Sequence, residues 1–130
     1  MDIRKISRFY TKIIDDVTGY KNRVHKLFTE SLFNLSCVVT DIFGVLGQII
    51  IEGLLKKQSS EEILRTIKFR LGYRLKAPIE MVLDALEGTL SDTVIHNIKT
   101  MLKIISLLQQ EARQLEQTLL EAIAYRGFNR

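Results

Sequence analysis

Residues 38–55 read VVTDIFGVLGQIIIEGLL, the most apolar stretch of the chain and the holder of three of its seven glycines, Gly44, Gly47 and Gly53. Thr40 and Asp41 are both suited to cap a helix, because a short side-chain oxygen can accept from the first free backbone N–H groups. The pattern therefore predicts a helix over 42–57. Gly44 and Gly47 stand three apart and share a face. With no Cβ on that face, a second helix could approach closely, so both are read as close-packing positions. The run is shorter than the ~20 residues that span a bilayer and ends in Lys56-Lys57, which does not fit a membrane segment.

On each side lies a long amphipathic segment. Upstream, Ile3, Ile6, Tyr10, Ile13, Val17, Tyr20, Val24 and Leu27 alternate steps of three and four. Downstream, Val94, Ile98, Met101, Ile105, Leu108, Ala112, Leu115, Leu119 and Ala122 do the same. That spacing is an a/d seam. The fold class expected is all-α, with two long heptad-patterned, coiled-coil helices flanking a cluster of shorter ones. The organisation reads as an N-terminal arm over 1–31, a central helical cluster over 32–90, a C-terminal arm over 91–124 and a frayed tail over 125–130. The arms could pair within one chain or between chains. The wide apolar stripe of the second arm, broadened by Leu102, Ile104 and Ile123, favours a homo-oligomer, a dimer or higher, or assembly with a further domain.

Between the arms, Ser59-Ser60-Glu61-Glu62 has the spacing of a capping box. The helix it opens stops at Gly72. Lys68, Arg70, Arg74 and Lys76 then alternate with Phe69, Leu71, Tyr73 and Leu75. Cations can follow a phosphate backbone while rings stack on bases, so this segment is a candidate nucleic-acid contact. A connector that keeps its apolar residues inward and its charges outward gives the same pattern. Pro78 suits the first turn of a further helix, and Ser91 caps the last arm.

The chain has 130 residues, enough for one domain with a core, and a formal charge of +4. The surplus lies early: residues 1–76 carry fourteen Lys/Arg against eight Asp/Glu, while residues 77–130 carry five against seven. A basic portion suits a polyanion partner. The lone Cys37 argues against a disulfide framework and fits a reducing, cytoplasmic setting. The start of the chain has no apolar secretory segment. His25 and His96 stand alone, with no ligand at helical spacing. There is no phosphate-binding glycine loop and no nucleophile with a base in sequence reach. No catalytic residue and no metal ligand is assigned, and no cofactor is expected in this segment.

The central residues carry a family resemblance. Lys21-Asn22-Arg23-Val24-His25-Lys26-Leu27, followed by Leu35-Ser36-Cys37-Val38-Val39-Thr40-Asp41-Ile42-Phe43-Gly44-Val45-Leu46-Gly47, resembles the middle region of bacterial insertion-sequence transposases of the 110/116/902 family. The later Ile50-Ile51-Glu52-Gly53-Leu54, Ala85-Leu86-Glu87-Gly88 and the closing Leu/Ile/Gln helix also look like that family. Leu46 stands where the family usually has Ser, and Gly53 where it has Ala. The likeness runs from about Arg8 to Ile123.

The resemblance implies a part in DNA transposition and recombination. It also implies that the family's divalent-metal carboxylates belong upstream of Met1 and its serine domain downstream of Arg130. The chain is then a non-catalytic piece serving oligomerisation and nucleic-acid contact, with DNA and a structured RNA as partners and no membrane. Lys21, Arg23, Lys26, Arg70, Arg74 and Lys76 are the contacts expected. The alternative is a helical, dimeric protein–protein adaptor with no nucleic-acid role.

Overall fold

The computed structural model describes residues 2–32, 35, 38, 39, 41–72, 78–86, 88 and 90–128. Arg74 and Lys76 lie outside them, as do Cys37 and Thr40. Among the described residues five helices follow in order: α1 (Ile3–Ser31), α2 (Val45–Leu55), α3 (Ser60–Leu71), α4 (Ile79–Ala85) and α5 (Asp92–Phe128). No strand occurs among the described residues. The all-α class and the two long helices are as the heptad spacing predicts. The last helix continues to Phe128, beyond the 124 boundary read from sequence.

The chain divides into two compact units, one of Met1–Arg23 with Thr100–Arg130 and one of Val24–Lys99. In the first, α1 and α5 pack against each other. Ile3 lines an open groove with Thr118, Ala122 and Tyr125, so the start of α1 lies beside the end of α5 and the pairing is antiparallel. The arms thus pair within one chain. Asp2 opens α1: its carboxylate accepts from the Arg4 and Lys5 amides at 3.1 and 3.3 Å. This satisfies two of the donors that every helix start leaves free. Ile13 and Val17 of α1 and Ile105 and Ala112 of α5 are the buried residues here. Leu107, Leu120 and Ile123 are each 58 % exposed, so a pair of helices covers only part of the stripe that α5 carries.

The second unit is built on α2. Ile49, Ile50 and Ile51 are consecutive and all buried, so this helix is enclosed on more than one side. Each such isoleucine contributes about 1.5–3 kcal/mol of gross hydrophobic stabilisation. The end of α1 and the residue just after it supply Val24, Phe28 and Leu32, at or below 1 % exposure. These step by four, whereas the seam read from sequence continues Val24 to Leu27. The reason is the helix period: 3.6 residues per turn drifts from a strict 3.5 repeat, and a globular core does not correct the drift as a supercoil would.

The start of α2 is not the one expected. Gly44 is its N-cap, without a side-chain bond, and helix begins at Val45. Asp41 closes a turn instead, accepting from the Phe43 amide through its side chain at 2.9 Å and from the Gly44 amide through its carbonyl at 3.0 Å. An Asx turn of this kind competes with helix initiation. The Asp41–Gly44 turn is what Gly47 packs against: a Cβ there would run into the Ile42 carbonyl and backbone. Gly44 likewise meets the Asp41 carbonyl, 3.2 Å from where its Cβ would be. The close approach that the spacing assigns to a second helix is made by the chain's own preceding turn.

The glycine that admits another helix is Gly53, whose Cβ would lie 2.5 Å from Ile63 Cγ1 of α3. Ser59 caps α3 through its hydroxyl, which accepts from the Glu62 amide at 3.2 Å, and Gly72 ends it at φ +52°. After α4, Gly88 rests on the end of α1, with Leu32 Cδ2 2.8 Å from where a Cβ would sit.

Candidate nucleic-acid interface

A phosphate-binding surface needs cations that stay in water and are not already neutralised by acids. The chain's charge is divided unequally by the two units. Residues 1–23 and 100–130 carry ten Lys/Arg against six Asp/Glu, and residues 24–99 carry nine against nine. The whole formal surplus of +4 therefore belongs to the unit of paired helices.

Within that unit the cations cluster on the first turns of α1. Arg4, Lys5, Arg8 and Lys12 are exposed, and they are the only charged residues between Ile3 and Ile14. At about 100° per residue they fall within one 100° arc, opposite the buried Ile13 and Val17. None forms an ion pair among the described residues. A helix start favours negative charge within its first turn, so Arg4 and Lys5 are slightly destabilising there, with Asp2 the one acid beside them. Phe9, 55 % exposed, stands one turn after Lys5 and one turn before Lys12.

Of the six contacts named from sequence, Arg74 and Lys76 lie outside the described residues and the other four divide between the two units. Lys21 and Arg23, two residues apart on α1, point to nearly opposite sides. Arg23 lies over the Tyr20 ring, its guanidinium carbon 5.1 Å from the ring centre, an arrangement worth about 0.5–1 kcal/mol at exposed sites. Lys26 belongs to the other unit and lies 3.9 Å from Glu30. Arg70 is exposed near the end of α3. Arg4, Lys5, Arg8 and Lys12 were legible in the sequence only through a narrow window, since a count over thirty residues mixes them with Asp15, Asp16 and Glu30.

The end of α3 carries a second unusual surface. Phe69 is 90 % exposed. It points away from Ile63, Leu64 and Ile67, the residues that α3 buries. Arg65 lies one turn before it on the same side, and Lys68 and Arg70 flank it. Lysine and arginine at a helix C-terminus complement the helix dipole, which accounts for the flanking charges and leaves the exposed ring unexplained.

The described residues include no group of three His, Cys, Asp or Glu positioned to hold a metal ion. His25 is half-buried on α1 and His96 exposed on α5. No described helix is long and apolar enough to cross a membrane. Compared with known proteins, the chain matches no family model, no curated protein and no solved structure.

Proposed function

We propose that this chain is a non-catalytic helical module of a transposase-like protein, serving assembly and nucleic-acid contact in DNA transposition and recombination. The observation that carries the nucleic-acid half is the concentration of the entire charge surplus on the paired-helix unit, focused into the exposed Arg4–Lys5–Arg8–Lys12 face. Such a face releases condensed counterions when it meets a phosphate backbone, which supplies affinity without sequence recognition. The resemblance of residues 21–54 to the middle of insertion-sequence transposases supports the biological setting. The test is titration of labelled duplex and single-stranded oligonucleotides at rising salt. Binding at low salt that is lost when the four cations become glutamine supports the reading. A wild-type chain that binds neither probe at low salt overturns it.

The assembly half rests on the apolar side chains that α5 leaves in water, Leu107, Leu120 and Ile123. These also favour the second reading, a helical protein–protein adaptor. Light scattering separates the two when run with and without nucleic acid. The adaptor reading requires self-association or partner binding that is indifferent to polyanions.

A further inference from the structure

We infer that Phe69, with Arg65 and Lys68, is a stacking platform for an unpaired base of single-stranded nucleic acid. The inference rests on the nucleic-acid reading above and narrows its partner. It begins from the ring itself. A phenylalanine at 90 % exposure, set on the side of α3 opposite Ile63, Leu64 and Ile67, contributes nothing to the core of its own unit. Its nearest neighbours on α3 are cationic rather than apolar, and the acids Glu61 and Glu62, which line a groove with Arg65, stand two turns before the ring. Arg65 stands one turn away on the same side, Lys68 is its neighbour in sequence, and neither forms an ion pair among the described residues.

An aromatic face beside free cations matches the two needs of a single strand, a surface for the base and counter-charges for the phosphates on either side. The ring decides between strand types. In a duplex the base faces are covered by their neighbours, so Phe69 would gain nothing from it, and the cations alone would bind. In a single strand the base face is open. A lipid surface is a poorer match, because an interfacial helix needs a free apolar face and α3 has buried its own, leaving one ring.

The experiment uses the full chain and two labelled probes, a short oligothymidylate and a hairpin duplex of equal charge, followed by fluorescence anisotropy. Phe69→Ala is expected to weaken oligothymidylate binding about tenfold and leave the duplex unchanged. Arg65→Gln with Lys68→Gln is expected to reduce the slope of log affinity against log salt by about 0.7 for each cation removed. These residues are exposed, and unchanged helical circular dichroism checks that the fold is kept. The inference is overturned if wild-type and Phe69→Ala chains bind the oligothymidylate equally. It is also overturned if the duplex loses as much as the single strand. In each of those cases the broader nucleic-acid reading survives wherever wild-type binding persists. If the wild type binds neither probe, that reading falls first.

Discussion

The Lys57 ammonium lies 2.7 Å from the Asp92 carboxylate, and Lys57 makes this contact from a left-handed backbone at φ +57°. It sits just past the end of α2. Its amide bonds to the Leu54 carbonyl at 3.1 Å, and the Gln58 amide bonds to the Gly53 carbonyl at 2.9 Å. That pair of bonds is a Schellman ending, in which the left-handed residue is usually glycine. A lysine there accepts backbone strain and gains a partner at the first residue of α5.

Strain and ion pair can be separated by substitution. Lys57→Ala removes the partner and keeps a Cβ in the left-handed region. Lys57→Gly removes the partner and relieves the strain. The glycine variant should exceed the alanine variant in stability by about 1 kcal/mol, read by urea unfolding. Equal midpoints for the two would mean that the backbone at 57 is not strained in solution.

Asp92 should titrate low. The hydrogen bond from Lys57 and its positive charge hold the Asp92 carboxyl below the ordinary 3.8. A carboxylate whose pKa is lowered on folding contributes stability above its unfolded value and loses it as pH falls through the folded one. The stability difference between wild type and Asp92→Asn should therefore be present at neutral pH and fade on acidification below the ordinary aspartate range. Lys57→Ala should return the Asp92 carboxyl to that range in a carbon-detected NMR titration. Because the pair is exposed, added salt should shrink the effect.

The glycines of α2 should differ in what they tolerate. At Gly53 the obstacle is a side chain, Ile63, which is 1 % exposed and has little room to turn. Gly53→Ala should cost about 1–3 kcal/mol, the range for overpacking. Ile63→Ala should lower that cost in a double-mutant cycle, because it removes the atoms in the way. At Gly47 the obstacle is the Ile42 backbone, which cannot rotate aside. Gly47→Ala should be the more damaging of the two and should not be relieved at Ile63.

These glycines also mark what the sequence could and could not reveal. The heptad spacing identifies α1 and α5 because a helix repeats its buried face along its own length. The hydroxyls of Ser59 and Ser91 mark two helix starts for a similarly local reason, each accepting from the amide three residues on. Gly47 is visible as a position without a Cβ, yet its neighbour is set by the Asp41 turn, and α2 starts three residues later than expected because that turn takes the place of a cap. Gly53 required knowledge of how α3 folds back. The basic face of α1 was within reach, since Arg4, Lys5, Arg8 and Lys12 share one side at helical spacing. Averaged over the length of α1 it is masked by Asp15, Asp16 and Glu30. The division of Lys21, Arg23 and Lys26 between two units and two sides of α1 follows from tertiary structure.

Anisotropy of labelled oligonucleotides, read for the wild-type chain and for the Arg4, Lys5, Arg8 and Lys12 to glutamine variant as salt is raised, tests the nucleic-acid claim most directly. The wild type should bind at low salt with an affinity that falls linearly in log–log form. The variant should lose most of that binding and flatten the slope by about 3 units, from about 0.7 to 0.9 for each phosphate contact removed. Identical affinities and slopes for the two chains, or no binding by the wild type at low salt, would contradict the account.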